Sequence, residues 1–247
     1  MEILGIDVGG SGIKGAIVDT STGELISERH RIPTPIPATP EAVAGTIHEL
    51  VDHFNWNGQV GCGFPTPQHH GKSLSGGNMH KTWKNVQIDE LFEKTTGNRF
   101  TVVNDADAAG LAEISFGAGK NVPGTVIMVT LGTGIGSGVF LDGKLLPNTE
   151  LGHLLYKNGD IFEKYAADSI RKKEDLSHRI WGKRLNEYFT HLQLLLSPDL
   201  IIIGGGVSKK MHKFKDQINV NVPIIAAKSE NNAGIIGAAI AAKEHIT

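Results

Sequence analysis

GIDVGGSGIKGAIVD (Gly5–Asp19) is the stretch whose reading decides the fold. An apolar, β-branched run from Met1 to Val8 enters a glycine-rich turn and leaves it as a second run, Gly12–Asp19. The pattern predicts two short strands around a turn, with Glu24–Ile32 as a third strand of the meander. Glycines at 9, 10 and 12 let backbone N–H groups converge on a concavity that no side chain blocks, which suits an anion such as phosphate. The opening strand leads into another strand where a dinucleotide-binding turn requires a helix, so the pattern is not a Rossmann one. Nor is it a Walker A loop: Gly71-Lys72-Ser73 has that motif's ending, but Thr66 stands where its first glycine belongs.

The pattern recurs from Thr125, with a strand to Leu131, a glycine turn in LGTGIGSG (Leu131–Gly138) and a strand Gly138–Leu141. Gly15–Asp19 lies over Gly138–Asp142 without a gap, with apolar and acidic positions matching, which reads as a duplicated unit. One glycine turn is weak support for an anion site, since hairpins also use glycine; two at duplicated positions are stronger. Thr133 and Ser137 add hydroxyl donors to the second. A third turn, Gly204-Gly205-Gly206, follows a strand Leu200–Ile203 and precedes a helix predicted near Val207–Phe214. A helix N-terminus there favours an anion or a nucleotide, and a packing role is an equal alternative.

Around these units, Pro33–Pro40 reads as an extended connection, and Thr39 as the N-cap of a helix Pro40–His53. A strand Gln59–Phe64, an irregular segment to Asn85, a helix Gln87–Thr96, a strand Arg99–Val103 and a helix Asp105–Phe116 follow. Later come helical stretches Gly159–Ala167 and Leu176–Leu196, a strand Val222–Ala226 and a closing helix Ala233–Lys243. Arg171–Asp175 reads as a solvated loop or helix start, with a second use in guiding a polyanion. At 247 residues and 40% hydrophobic content the chain exceeds one usual domain, so two lobes are expected. They are a smaller N-terminal α/β lobe, residues 1–113 plus 232–247, and a larger C-terminal α/β lobe, 114–231.

A net charge of −2 gives no broad basic field, so neither nucleic acid nor an anionic membrane is an expected partner, and any anion site must be local. No secretory leader is visible and no apolar run approaches the ~18 residues of a spanning helix, so the expected location is cytoplasmic. Cys62 is the single cysteine, which excludes an internal disulfide and a zinc site of several thiolates; its apolar neighbours predict a buried, inert thiol.

Three further segments carry chemistry. Asp7, at a strand end, suits Mg²⁺ held through water, because magnesium takes few protein carboxylates; capping the turn is the alternative. NDADAA (Asn104–Ala109) puts an amide and two carboxylates at a strand-to-helix junction. There a carboxylate can accept the proton of an attacking hydroxyl, and Asp105 is equally the residue a helix takes as its N-cap. NTELGH (Asn148–His153) sets Glu150 and His153 three residues apart, a pair that suits a polyol and lacks the partners a zinc site needs. Asn78, His80, Lys81 and Trp83 lie where polar groups and an indole could form one wall of a sugar cleft, or plain exposed loop; His69 and His70 read as surface loop.

The motifs DVGGSGIKG, NDADAAGLAE and TLGTGIGSG, with the duplication, resemble the ROK family of sugar kinases, over nearly the whole chain. The resemblance implies an α/β chain of the duplicated actin-like ATPase (ribonuclease H-like) fold, two lobes with a central cleft. Within the family, GGSGIKGA (Gly9–Ala16), TPIPATP (Thr34–Pro40), FPTP (Phe64–Pro67) and NTELGH are similar to the polyphosphate-using glucokinases. Many ROK kinases carry a CxCGxxGC zinc motif after the Gly-His pair; the stretch after His153 has no cysteine, so no zinc is expected.

Carried onto this chain, the resemblance makes Asp105 the base for a sugar 6-hydroxyl, and Asn78, Asn104, Glu150 and His153 sugar ligands. Gly9, Gly10, Ser11, Gly12, Lys14, Gly132, Thr133, Gly134 and Gly205 become the phosphate cradle, and Asp7 the Mg²⁺-site carboxylate. The acidic sugar ligand that relatives place after the zinc motif is not located. The implied activity is transfer of a phosphoryl group from inorganic polyphosphate, with ATP as a further donor, to glucose, by a homodimer whose lobes close on a hinge. The alternatives are an ATP-dependent hexokinase acting on another hexose such as mannose, and a non-catalytic sensor. ROK transcription regulators carry an N-terminal helix-turn-helix, for which the first strand leaves no room. Lys14, Lys81, Lys84 and Arg171 are the candidate cations of a polyanion path.

Overall fold

The computed structural model describes residues 1–77 and 79–244. It divides into two compact units, Met1–Ala112 with Asn231–Thr247, and Glu113–Glu230. The unit holding the N-terminus has more residues than the other, the reverse of the expected order of size.

In the first unit, β1 (Glu2–Val8) and β2 (Ile13–Asp19) form the expected hairpin, in register from Glu2 opposite Asp19 to Val8 opposite Ile13. The single third strand expected over Glu24–Ile32 is two, β3 (Glu24–Leu25) and β4 (His30–Ile32), both antiparallel to β2. The break falls at Ser27, whose Oγ accepts the Ile17 N–H at 2.9 Å where a strand would offer a carbonyl. α1 (Pro40–His53) begins as predicted: Thr39 accepts the Ala42 N–H, and Pro40 sits where a missing N–H costs nothing. Its buried Val43, Ala44, Ile47, Leu50 and Val51 follow helical spacing.

β5 (Val60–Phe64) is buried throughout and parallel to β1. The segment after it holds a small ribbon, β6 (Gln68–His69) with β7 (Lys72–Ser73). α2 (Ile88–Thr96) stops at Gly97, whose φ of 80° provides the left-handed cap. β8 (Phe100–Asn104) pairs parallel to β5 and runs straight into α3 (Asp105–Phe116). The sheet order is β3-β2-β1-β5-β8, with β4 also on β2.

The second unit repeats the plan. β9 (Thr125–Leu131), β10 (Ile135–Leu141) and β11 (Lys144–Leu146) form a meander. The helical stretch expected at Gly159–Ala167 shrinks to α4 (Glu163–Ala166), because Asn158 at φ 62° and Gly159 at φ 79° leave the helical region. The charge run belongs to a helix that sequence did not delimit, α5 (Asp168–Lys173), and α6 (His178–Leu196) follows from a Ser177 cap. β12 (Leu200–Gly204) then pairs parallel to β9, and β13 (Ile224–Ala226) parallel to β12, in the order β11-β10-β9-β12-β13, the same meander plus parallel strands as in the first unit. Trp181, Tyr188, Phe189, Phe162 and Phe214 fill its core.

α7 (Ala233–Glu244), apolar on every side, returns to the first unit and packs on β1, β5 and β8. Backbone meets backbone there: a Cβ at Gly61 would run into the Ala238 carbonyl, and one at Gly5 into that of Ile235. Gly61→Ala is therefore expected to lower the free energy of unfolding by at least about 2 kcal/mol, the scale of overpacking a rigid core. Chemical denaturation reads this directly, and an unchanged midpoint would contradict the packing of α7 on β5. Among the described residues no helix is long and apolar enough to cross a membrane.

Candidate active site

At the end of β8, the Asn104 Oδ1 accepts the Ala106 N–H at 2.8 Å, and its Nδ2 lies 3.5 Å from the Thr66 carbonyl. Asn104 is thus the cap of α3, which settles the sequence alternative that gave this duty to Asp105. Asp105 is the first residue of the helix and is exposed, while Asp107 is buried. A carboxylate at this end sits at the positive pole of the helix dipole. Asn104 is itself nine-tenths buried with its oxygen committed to the Ala106 N–H.

β1, β2 and β4 set a row of charges beneath the first glycine turn. Asp7 is opposite Lys14, and Lys14 is opposite Arg31. Lys14 Nζ stands 3.3 Å from Asp7 Oδ2, whose side chain is 19% exposed. Gly234, in the first turn of α7, has no Cβ because one would strike the Asp7 carboxyl, so that carboxyl lies against a helix N-terminus.

The turn itself is pinned by its carbonyls. The Gly9 N–H donates to the Gly12 carbonyl at 3.1 Å, Thr34 Oγ1 donates to that of Gly9, and Arg31 Nη2 to that of Ser11. The N–H groups of Gly10, Ser11 and Gly12 donate to nothing among the described residues. The second turn is built alike: Gly132 N–H donates to the Gly134 carbonyl at 3.0 Å, and Ser169 gives its N–H to Gly132 and its hydroxyl to Thr133. Here too the Thr133 and Gly134 N–H groups find no acceptor among the described residues. Each turn is therefore a concavity of N–H dipoles with its carbonyls drawn elsewhere.

The third turn differs from expectation. After Gly206 the chain forms a 3₁₀ turn, Ser208–Lys213, so there is no α-helix N-terminus to draw an anion. Gly205 has φ 79° and no room for a Cβ against the Leu131 backbone, which gives it a packing role beside the second turn.

Ser137, expected to be a donor to phosphate, is 2% exposed; its Oγ donates to the Thr149 carbonyl and accepts the Leu151 N–H, which fixes the loop carrying Glu150 and His153. His153 is exposed and its N–H returns to the Glu150 carbonyl at 2.9 Å. Burial pushes the Glu150 carboxyl above its usual range, nearby His153 draws it down, and Glu163 adds to the rise.

Glu163 is the residue that sequence reasoning missed. It lies in the stretch after His153, its Oε2 accepts the Ile135 N–H at 2.9 Å, and Gly134 is glycine because a Cβ would strike this carboxylate. Its only sequence signal was an isolated acid in a weak helical pattern.

A raised acid pKa means that the folded state holds the proton more tightly than the unfolded one. Glu150 therefore favours folding below its ordinary range and disfavours it once pH passes the folded value. Glu150→Gln is expected to be more stable than wild type at pH 7, with the difference vanishing as pH falls toward 4.5, the unshifted value. Thermal melts across that range check the sign.

Other expected site residues fall elsewhere. Trp83 is fully buried, donates Nε1–H to the Ala38 carbonyl at 2.8 Å and packs in the core against the Phe64 and Phe92 rings, so it cannot wall a sugar cleft. His80 caps the short turn Lys81–Trp83, and Lys81 and Lys84 are exposed. Arg171 is held by Asp168 at 2.7 Å and lies over the Trp181 ring. His69 and His70 are exposed, and Cys62 is fully buried with its thiol pushed up by burial, then by Asp7. Asn78 lies outside the described residues.

Two α/β units, each opening on a glycine hairpin with its carbonyls pinned and its N–H groups bare, have the build of the ROK sugar kinases. The family's model matches residues 3–164, and the chain belongs to the ROK family. The polyphosphate glucokinase of Mycobacterium tuberculosis is 46% identical over 239 residues, 96% of this chain and 90% of that protein. That of Mycobacterium leprae is 42% identical, over 99% of this chain and 75% of the relative. The inorganic polyphosphate/ATP-glucomannokinase of Arthrobacter sp. strain KM superposes with a TM-score of 0.92 at 44% identity, covering 99% of both chains. A ROK glucokinase from Streptomyces griseus, solved with glucose and AMPPNP, shares the fold at TM-score 0.84 and 23% identity over 99% of this chain and all of that one. The fold is the two-lobed actin-like ATPase fold.

Proposed function

We propose that this chain is a glucokinase that moves the terminal phosphoryl group of inorganic polyphosphate onto the 6-hydroxyl of glucose. The observation that carries the reading is the pair of N–H concavities at Gly9–Gly12 and Gly132–Gly134, in a chain up to 46% identical to proteins named for this reaction. Phosphoryl transfer asks chiefly for positioning and for stabilised charge, and both turns offer fixed N–H dipoles that need no rearrangement.

In this reading the two units are the family's two lobes. Asp105 accepts the hydroxyl proton as the sugar oxygen bonds to phosphorus, and the shortened polyphosphate leaves with the electron pair of the broken anhydride. Glu150 and His153 hold sugar hydroxyls, Asn78 and the remaining Asn104 N–H add to them, and Glu163 is the acid that sequence did not place. Lys14 joins the first turn in holding phosphate.

Asp7 fits Mg²⁺: one partly exposed carboxylate is the sparse oxygen donor set that this ion accepts while keeping its water. Bound there, the ion would neutralise charge on the donor phosphates. No zinc is invoked. The same reading has the protein act as a homodimer in the cytoplasm, without nucleic acid or membrane, in line with its small net charge.

The Arthrobacter relative's name pairs polyphosphate with ATP and glucose with mannose, which supports ATP as second donor and mannose as second acceptor. A coupled assay of hexose 6-phosphate, with each donor offered separately to each sugar, tests the proposal. Rapid turnover of glucose with long-chain polyphosphate is the expected result, and turnover with nucleotides alone would refute the donor.

A further inference from the structure

The second unit gathers cations next to its glycine turn. Ser169, which holds the Gly132 and Thr133 carbonyls, is the second residue of α5, and α5 ends in Arg171-Lys172-Lys173. Trp181 of α6 has the Arg171 guanidinium over its ring at 5.8 Å and the Phe214 ring at 4.8 Å. Gly182 lets α6 approach the Phe214 carbonyl, where a Cβ would collide. α5, α6 and the 3₁₀ turn Ser208–Lys213 thus meet around one indole.

Met211 and Phe214 bury themselves in that meeting, while Lys210 and Lys213 stay exposed. Three residues apart on a 3₁₀ turn, the two lysines lie on one side of it. Neither makes an ion pair or side-chain hydrogen bond among the described residues. Burial holds the His178 imidazole below its usual pKa, and the charges of Arg171, Lys213 and Lys210 lower it further against the pull of Asp168, so these cations face one ring.

Two of the nearby acids are already engaged. Asp168 lies 2.7 Å from Arg171 and 2.8 Å from Lys172, and Glu174 lies 2.6 Å from Arg184. Like charges on one side of a turn repel each other, and a multivalent anion relieves the repulsion.

We propose that Lys210 and Lys213, backed by Arg171 and Lys172, bind the distal phosphates of a long inorganic polyphosphate whose reacting end lies at the Gly132–Gly134 turn. The inference rests on the donor assigned above. A chain of repeated phosphates needs cations spaced beyond the reacting end; a short donor has nothing to place there. The face discriminates donors by length.

The test is Lys210→Gln/Lys213→Gln in the full chain, assayed with long-chain polyphosphate, tripolyphosphate and ATP at two salt concentrations. KM for the long chain is expected to rise about tenfold and to lose part of its salt dependence, the scale of removing two exposed ionic contacts. KM for the two short donors, KM for glucose and kcat should stay at wild-type values. Lys120→Gln/Lys144→Gln removes the same charge, with Lys144 on β11 at the opposite edge of the sheet, and should change nothing. An unchanged long-chain KM, an equal rise for all three donors, or an equal effect of the control pair would overturn the inference. A wild-type chain that takes ATP but no polyphosphate would overturn the donor assignment, and this inference with it, before any variant is compared.

Discussion

Asp105→Asn is expected to lower kcat for glucose phosphorylation by at least about 10², the usual size of a general-base effect. KM for glucose should stay near the wild-type value, because the amide keeps the shape of the carboxylate and loses only its capacity to take a proton. The fold tolerates the change for a local reason. The capping bond of α3 belongs to Asn104, position 105 is exposed, and a charge at a helix N-terminus is worth about 0.3–1 kcal/mol. Melting temperature and turnover should therefore separate, with the first nearly constant and the second collapsing. Turnover within a few-fold of wild type would remove Asp105 from the reaction.

Glu113→Ala should produce the largest stability loss in the molecule. Glu113 is fully buried, and its carboxylate accepts three backbone N–H groups, from Ala118 at 2.7 Å, Lys228 at 2.9 Å and Ser229 at 2.6 Å. The chain passes from one unit to the other at Ala112–Glu113 and back at Glu230–Asn231, so this one side chain ties together the two segments beside those crossings. Gly117 is glycine because a Cβ would strike the same carboxylate. Truncation leaves three amides without an acceptor, at about 1–3 kcal/mol for each one kept from water, so a total of roughly 3–5 kcal/mol is expected. Glu113→Gln, which keeps one acceptor oxygen, should lose distinctly less. Denaturant titration of the three proteins reads this order, and a Glu113→Ala midpoint equal to wild type would contradict it.

What was legible in the sequence was whatever local chemistry dictates alone. The glycine turns, the duplicated hairpins and the Thr39 cap of α1 follow from backbone freedom and from period, and the structure has them where the residues imply. What escaped depends on side chains that reach back to the chain. Ser27 splits a strand because its hydroxyl replaces a carbonyl partner, and Ser137 turns inward to hold the Glu150 loop. Trp83 looked like a sugar-facing indole and is core, because its N–H finds the Ala38 carbonyl. Glu163 was invisible for the same reason: its link to Ile135 and Gly134 spans more than two dozen residues and leaves no periodic trace. In the candidate site, residue types and turns were readable, while the division of labour between Asn104 and Asp105 was not.

The most direct measurement is ³¹P NMR of the reaction of the purified chain with glucose and long-chain polyphosphate in the absence of nucleotide. A phosphate monoester on C6 should grow as terminal phosphates of the chain are consumed. Orthophosphate alone, or no loss of polyphosphate signal, would contradict the proposed phosphoryl transfer from polyphosphate to the sugar hydroxyl.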